Sequence, residues 1–512
     1  MNVFLRVDSS LSIGSGHIIR CLNLAKLLRT LGLHCFFVSK NHNGNIIPKI
    51  EADGFETIVI NSVSASDNYI RDEKAWLNGS QLDDAESFIN IVEQQNCIPD
   101  IIIVDHYSLD SEWEIHVKKH FPLARLVVVD DLCNRQHYCD LIIDQTFQRD
   151  AKEYFSLNKH RGKILAGTKF ALLSPTFSAL RKLSIARKAQ VNVPKTLLVT
   201  MGGVDAHNVT GNVLRCLENG DYPFIDKITV ILGAACPNQN AIRAQTQQSK
   251  YNVDILSNVS NMAELMLEHD FAIGAMGGTT WERCVLGLPA INVAIADNQL
   301  TIAANLAEVG AIVLHSDEIE EDTLCDAFNE LVSGYHVQRL LAAEICDGLG
   351  LTRVIQEMIL LPAKDGKNVT LRHAIEEDID FVYHLQCEPK TRQYARNPEV
   401  PRYQNHVTWM RQKLKDENSH FYIIEHGTRC GVIRLDPVEH KNAELEISIF
   451  LTTECHGQGI ASAAIKRLIM LHNSVNLLAT VLPENHASQK LFESIGLKKI
   501  SSGEFISEKN NE

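Results

Sequence analysis

The stretch Val3-Phe4-Leu5-Arg6-Val7-Asp8-Ser9-Ser10-Leu11-Ser12-Ile13-Gly14-Ser15-Gly16-His17-Ile18-Ile19-Arg20-Cys21 decides how the chain begins to fold. Val3 to Val7 is short and mainly apolar, as a buried strand is. Two glycines and a histidine follow, and then apolar residues at helical spacing: Ile18, Ile19, Leu22, Leu24, Ala25 and Leu28. A strand, a glycine turn and a helix in this order open a βαβ unit, whose ligands sit beyond the carboxyl end of the strand. The turn brings backbone N–H groups close to a ligand, and the positive end of the helix suits a phosphate. The same field favours a neutral imidazole at His17, able to act as a base near pH 7. A plain glycine turn, with His17 doing no more than capping the helix, fits this stretch equally well.

Working outward, 512 residues leave room for about three domains. A composition of 45% hydrophobic and 22% charged residues suits a globular protein with ample core. The formal net charge of −14 argues against nucleic acid or an anionic membrane as a partner. No signal-like leader opens the sequence, and no apolar run approaches the ~18 residues of a membrane span. The thirteen cysteines form no Cys-x-x-Cys pair, and the 21 histidines include no His-x-x-x-His set beside a catalytic glutamate. Reduced thiols in a cytoplasmic protein without a metal site are therefore expected.

The first part of the chain alternates strand and helix. Strands are predicted at 35–38, 56–60, 101–104, 126–129 and 141–143, all short, apolar and β-branched. Asp105-His106-Tyr107 and Asp130-Asp131 each follow a strand, so both clusters belong on the rim that carries His17. Asp105 and Tyr107 are expected substrate contacts, whereas Asp130 and Asp131 read better as caps. A second alternation starts near Lys195, with strands at 196–200, 228–232 and 253–256 and a turn at Met201-Gly202-Gly203-Val204-Asp205. Its strongest piece is Phe271-Ala272-Ile273-Gly274-Ala275-Met276-Gly277-Gly278-Thr279-Thr280-Trp281-Glu282-Arg283. Here a strand ends in glycines, the threonines are placed to cap a helix, and loop amides can hold a diphosphate. Glu282, expected on the first helical turn, can accept both hydroxyls of a ribose. A capping box is the other reading, and the second glycine turn at Gly202-Gly203 favours the ligand. Two successive α/β halves with facing glycine turns predict a twin-Rossmann, GT-B-like architecture, divided into residues 1–188 and 189–361.

The ordered set Arg6-x-Asp8, Ile13-Gly14-x-Gly16-His17-x-x-Arg20-Cys21, Asp130-Asp131, Cys139 to Gln145, Gly202-Gly203-x-Asp205 and Gly277 to Arg283 resembles the UDP-sugar hydrolase family of pseudaminic acid biosynthesis. Asp297-Asn298-Gln299 and Asp347-Gly348-x-Gly350-x-x-Arg353-Val354 extend the resemblance, which covers roughly residues 1–360. The family has a GT-B-like fold and removes UDP from UDP-2,4-diacetamido-2,4,6-trideoxy-β-L-altropyranose. The resemblance implies His17 as the general base that activates water for inverting attack at the anomeric carbon, with C–O cleavage and no metal. It implies that Gly277, Gly278, Thr279, Thr280, Glu282, Asn298 and Gln299 face the UDP. Arg6, Asp8, Gly14, Gly16, Arg20, Gly202 and Gly203 complete the expected substrate-binding set.

Pro362 to Asn368 is polar and contains a glycine, so it reads as a linker, with a further domain over 369–510. After two or three helices, strands are predicted at 421–425, 430–436 and 445–451. His456-Gly457-Gln458-Gly459-Ile460-Ala461 then opens a helix over 461–471, and a strand is expected at 479–482. Asn485-x-x-Ser488-x-x-Leu491-Phe492-x-x-x-Gly496 closes the pattern. This set resembles the GNAT superfamily of N-acyltransferases, an α+β fold, over roughly 369–505. It implies acetyl-CoA as co-substrate, bound by Gly457, Gln458, Gly459, Ile460 and Ala461, with Asn485 and Ser488 as further contacts. His456 stands where the family has glutamine or arginine, and Phe492 where many members have a tyrosine acid. Glu446 is a candidate base acting through water, or equally an exposed strand residue.

Together the two resemblances imply a bifunctional enzyme that N-acetylates a UDP-4-amino-4,6-dideoxy sugar and then hydrolyses the acetylated UDP-sugar. Two other readings are a GT-B glycosyltransferase, and a hydrolase whose GNAT domain only binds acetyl-CoA or docks a partner.

Overall fold

The computed structural model describes residues 1–60, 72–233, 235–257, 259–416, 419–440, 443–473 and 475–507. The expected GNAT span 369–510 therefore runs at its end beyond the described residues, and Ala234 lies outside them too. The chain divides into two compact units, the first comprising Met1–Arg29 and Leu33–Val354 and the second Ile355 onward together with Thr30–Gly32.

The first unit holds two parallel sheets. Strands β1 (Asn2–Val7), β2 (His34–Lys40), β3 (Glu56–Ile60), β4 (Ile101–Asp105), β5 (Arg125–Val129), β6 (Leu141–Asp144) and β7 (Lys163–Ala166) lie in the order β3-β2-β1-β4-β5-β6-β7. Strands β8 (Thr196–Thr200), β9 (Lys227–Leu232), β10 (Val253–Ser257), β11 (Phe271–Ala275), β12 (Ala290–Ala294) and β13 (Val313–His315) lie in the order β10-β9-β8-β11-β12-β13. The central strands are buried along their length, β4 and β11 at every position, as sheets covered on both faces require. In each sheet the winding reverses beside the first strand, between β1 and β4 and between β8 and β11, which opens a crevice at the carboxyl ends. The helix Pro175–Ala189 carries the chain from one sheet to the next. Its Arg181 donates to the carbonyls of Val285, Ala343 and Cys346, and its Ser184 hydroxyl to that of Leu286.

The second unit has one mixed sheet of β14 (Thr370–His373), β15 (His420–His426), β16 (Thr428–His440), β17 (Ala443–Leu451), β18 (Leu477–Thr480), β19 (Lys498–Ser501) and β20 (Glu504–Ser507). Its order is β14-β15-β16-β17-β18-β20-β19. Neighbours are antiparallel except β17 and β18, which run parallel and pair only at Leu445↔Leu477 and Glu446↔Leu478 before they part. The strand expected at 479–482 sits at 477–480, because antiparallel pairing with β20 sets its register.

The segment read as a linker is folded. Pro362 and Asn368 bridge, the Ala363 N–H donates to the Lys367 carbonyl at 2.9 Å, and the Ala363 side chain is buried in the core. Arg467, 1% exposed on the helix Ile460–Leu471, donates to the carbonyls of Val369 (2.8 Å) and Ile359 (3.0 Å) and to Asn368 Oδ1 (2.9 Å). These bonds tie both ends of the hairpin to that helix. The division between the units falls earlier, inside the helix Gly350–Met358. Among the described residues no helix is long and apolar enough to cross a membrane.

Candidate active sites

His17 is the second residue of the helix Gly16–Thr30, and Asp105 is the last residue of β4, so both stand at the first crevice. Upstream, the Ser10 hydroxyl accepts the N–H groups of Ser12 (3.1 Å) and Ile13 (3.0 Å) and shapes the turn. His17 Nδ1 lies 2.5 Å from Asp105 Oδ1. Arg20, one helical turn on, donates from Nε to Asp105 Oδ2 at 2.7 Å and from Nη2 to Asp105 Oδ1 at 2.6 Å. Its third nitrogen, Nη1, pairs with Asp131, whose Oδ2 also accepts the Tyr107 hydroxyl at 2.8 Å. Burial works against a charge on Asp105, but Arg20 and His17 overcome it and hold the carboxyl well below the usual range. The His17 ring packs edge-on against Tyr107, with centroids 4.6 Å apart, and Tyr107 stacks with Trp76 at 5.9 Å. His17 Nε2 has no partner among the described residues, so it is the nitrogen left for chemistry.

This geometry corrects five of the expected substrate contacts. Asp105 and Tyr107 are 1% and 5% exposed, and their polar atoms are committed to His17, Arg20 and Asp131. Arg6 and Asp8 are fully buried, because the end of β1 lies beneath the helix Gln81–Gln94. Arg6 forks onto Asp8 at 2.6 and 2.9 Å and onto Asp84 at 2.9 and 2.8 Å, while Asp8 also accepts the Lys40 N–H at 2.7 Å. They brace the strand under the loop and present nothing to a ligand. Arg20, placed in the substrate-binding set, is the clamp on Asp105. Asp130 caps its own loop through the N–H groups of Leu132 and Cys133. The spacing His17-x-x-Arg20 was the legible trace of this cluster, whereas Trp76 belongs to no motif.

The second sheet brings its glycine turns to the same unit. A side chain at Gly203 would place its Cβ 2.3 Å from Ser15 Oγ, so the turn after β8 and the turn before His17 touch there. After β11, the Thr280 hydroxyl accepts the Gly277 N–H at 3.2 Å and is buried. Thr280 thus serves the turn, while the half-buried Thr279 hydroxyl has no partner among the described residues. The N–H groups of Gly278 and Thr279, at the start of the helix Gly278–Val285, also lack an acceptor among the described residues. Glu282 falls on the second turn of that helix, is half-buried and is unpaired among the described residues. Burial pushes its carboxyl up to about 7, against the pull of Arg283. Asn298 is exposed, and Gln299 is half-buried with its Oε1 accepting the Ile295 N–H at 2.9 Å.

In the second unit, the loop His456–Gly459 leads into the helix Ile460–Leu471, where Ile460 is buried in the core. Glu446 stands where β17 and β18 part, and it pairs with Arg396. Asn485 Oδ1 accepts the Ser488 N–H at 3.1 Å and so caps the helix His486–Ser494. Phe492, 4% exposed, stacks on Phe505 at 5.8 Å within the core and offers no proton donor. Among the described residues no group of three or more His, Cys, Asp or Glu is placed to hold a metal ion.

Comparison with known proteins relates both parts of the chain to known families. Residues 368–498 match the acetyltransferase (GNAT) domain model. The uncharacterized protein MJ1062 of Methanocaldococcus jannaschii is 25% identical over 98% of both chains. The UDP-2,4-diacetamido-2,4,6-trideoxy-β-L-altropyranose hydrolase of Campylobacter jejuni is 23% identical over 60% of this chain and 97% of its own. Among solved structures, Acinetobacter baumannii MurG covers 69% of this chain and 98% of its own at 15% identity, with a TM-score of 0.48. Residues 368–498 are thus a GNAT acetyltransferase domain, and the chain ahead of them, with its two parallel sheets, is homologous to a UDP-diacetamido-trideoxy-altropyranose hydrolase.

Proposed function

We propose that the chain is a bifunctional enzyme of pseudaminic acid biosynthesis. Its second unit transfers acetyl from acetyl-CoA to the amine of a UDP-4-amino-4,6-dideoxy sugar, and its first unit then splits UDP from the diacetamido product. The observation that carries the hydrolytic half is His17, whose Nδ1 is held by Asp105 while Nε2 is free of partners among the described residues. With Asp105 fixing the ring, Nε2 takes a proton from water as its oxygen attacks the anomeric carbon. The C–O bond to the diphosphate breaks, and UDP leaves with the bonding electron pair. The unpaired N–H groups of Gly278 and Thr279 and the Thr279 hydroxyl are the donors available to the departing phosphates. Glu282, ionised above about pH 7, accepts the ribose hydroxyls.

The acetyl half rests on the GNAT domain and on the parting of β17 from β18, which leaves Glu446 beside the gap. In this reading acetyl-CoA lies in that gap with its pyrophosphate on the loop 456–461. Glu446, once released from Arg396, removes the amine proton through water. The burial of Phe492 against Phe505 favours a second reading, in which the domain binds acetyl-CoA without turnover.

NMR of the full chain with UDP-4-amino-4,6-dideoxy-N-acetyl-β-L-altrosamine separates these readings. Free diacetamido sugar and UDP, formed only when acetyl-CoA is added, support both halves and their order. An acetylated UDP-sugar that accumulates defeats the hydrolase assignment. Hydrolysis only of pre-acetylated UDP-sugar favours the non-catalytic GNAT domain.

A further inference from the structure

The hairpin 362–368 lies ahead of most of the matched GNAT region, yet it touches the loop that the cofactor reading depends on. Lys364 holds that loop at two successive peptides. Its Nζ donates to the Gly457 carbonyl at 2.8 Å, and its own N–H donates to the Gln458 carbonyl at 2.8 Å. Its stem lies along Gly459, where φ is +84° and a Cβ would sit 3.3 Å from Lys364 Cγ, so a glycine is needed there. The hairpin is itself anchored: Asp365 Oδ1 accepts both the Lys367 N–H (3.0 Å) and His426 Nε2 (2.9 Å).

The stereochemistry of the peptide bond turns this contact into a statement about the cofactor. In a planar trans peptide the N–H points opposite to the C=O. The peptide that carries the Gly457 carbonyl ends in the N–H of Gln458, and the one that carries the Gln458 carbonyl ends in the N–H of Gly459. With both carbonyls pinned toward the hairpin, both N–H groups face away from it. Neither has an acceptor among the described residues. They lie just ahead of the unpaired amides that open the helix Ile460–Leu471, so the donors converge beside a helix N-terminus. A cation on the carbonyl side also polarises the first of these peptides and strengthens its N–H as a donor.

We infer that Lys364 is a positioning residue of the acetyl-CoA site, fixing the Gly457 and Gln458 peptides so that the N–H groups of Gln458 and Gly459 meet the cofactor's pyrophosphate. The inference rests on the acetyl-CoA reading given above. It makes the segment between the hydrolase-like and GNAT-like parts a component of the cofactor site.

Calorimetry on the full chain with three ligands tests it: CoA, dephospho-CoA and pantetheine, which lacks the pyrophosphate. Lys364→Met keeps the stem against Gly459 and removes the charge. It is expected to weaken CoA and dephospho-CoA equally, by about tenfold, the usual cost of losing a charge-assisted hydrogen bond. Pantetheine binding and UDP-sugar hydrolysis stay unchanged, and Lys364→Arg restores CoA affinity. Unchanged CoA affinity in Lys364→Met overturns the inference. A loss seen with CoA but not with dephospho-CoA overturns it in favour of direct contact with the 3′-phosphate. An equal loss for pantetheine overturns it in favour of general disruption of the domain. If the unaltered protein binds no CoA, the cofactor reading falls and takes the inference with it.

Discussion

His17 and Glu446 take the protons in the proposed reactions, and the fold holds them in opposite ways. His17 is 7% exposed, and its Nδ1 side is wired through Arg20 of its own helix and through Asp105, Asp131 and Tyr107, set on or just after strands of one sheet. Among the described residues Glu446 has one partner, Arg396, whose side chain is 69% exposed on a segment without regular structure. In the second unit the ordered feature is instead the cofactor loop, braced by Lys364 and by the Arg467 bonds to the hairpin. In the proposed reactions, preorganisation would sit where each needs it before its acceptor arrives: on the base when the acceptor is water, and on the cofactor loop when the acceptor is an amine that brings its own polar groups.

The largest expected effect breaks the ordered side. His17→Ala lowers kcat for UDP release by about 10²–10⁴-fold, the range of a general base, while acetyl transfer measured as CoA release is unchanged. Asp105→Asn keeps the imidazole but loosens it, and kcat for UDP release falls by roughly 10²-fold with little change in KM. Equal activity in this variant would mean that the base is not held by the Asp105 contact.

Glu282 gives a smaller effect with a defined sign. Its carboxyl is raised by burial from 4.5 to about 7 in the folded protein, so the unfolded chain ionises first as pH rises. Its contribution to stability is present below about pH 4.5 and is lost as pH climbs through 7. The Tm of the ligand-free protein should match that of Glu282→Gln at pH 4.5 and lie below it at pH 8, as scanning calorimetry can check. UDP affinity should move the other way in the unaltered protein, rising through pH 7 as the carboxylate forms, and stay flatter in the variant. The smallest effect is expected on the loosely held side. Arg396→Ala removes the exposed partner of a pair worth about 0.2–1 kcal/mol, so kcat for acetyl transfer should change less than about fivefold. A far larger loss would show that Arg396 acts on the substrate as well as on Glu446.

What the residues revealed in advance follows the same division. Apolar runs and glycine turns announced the two parallel sheets, because strands buried on both faces are apolar throughout. Strands β7, β12 and β13 went unseen. They are short, and β12 carries alanine and asparagine, so neighbouring strands and not local propensity hold them in the sheet. The spacing His17-x-x-Arg20 was visible, but the partner that gives it meaning, Asp105, lies 88 residues from His17 and only the fold brings it near. The hairpin 362–368 has the composition of a linker, and what folds it is Arg467, 99 residues beyond Asn368. Local pattern found the turns and helix starts. Long-range pairing decided which polar side chains stay open and which, like Arg6 and Asp8, only support the loop.

The central claim is that a water activated by His17 attacks the anomeric carbon, and running the hydrolysis in water labelled with heavy oxygen tests it most directly. Phosphorus NMR of the UDP formed from UDP-2,4-diacetamido-2,4,6-trideoxy-β-L-altropyranose should show no isotope shift, because the label goes to the sugar when the C–O bond breaks. A shifted β-phosphorus signal would mean attack at phosphorus, and His17 could not have the role given to it here.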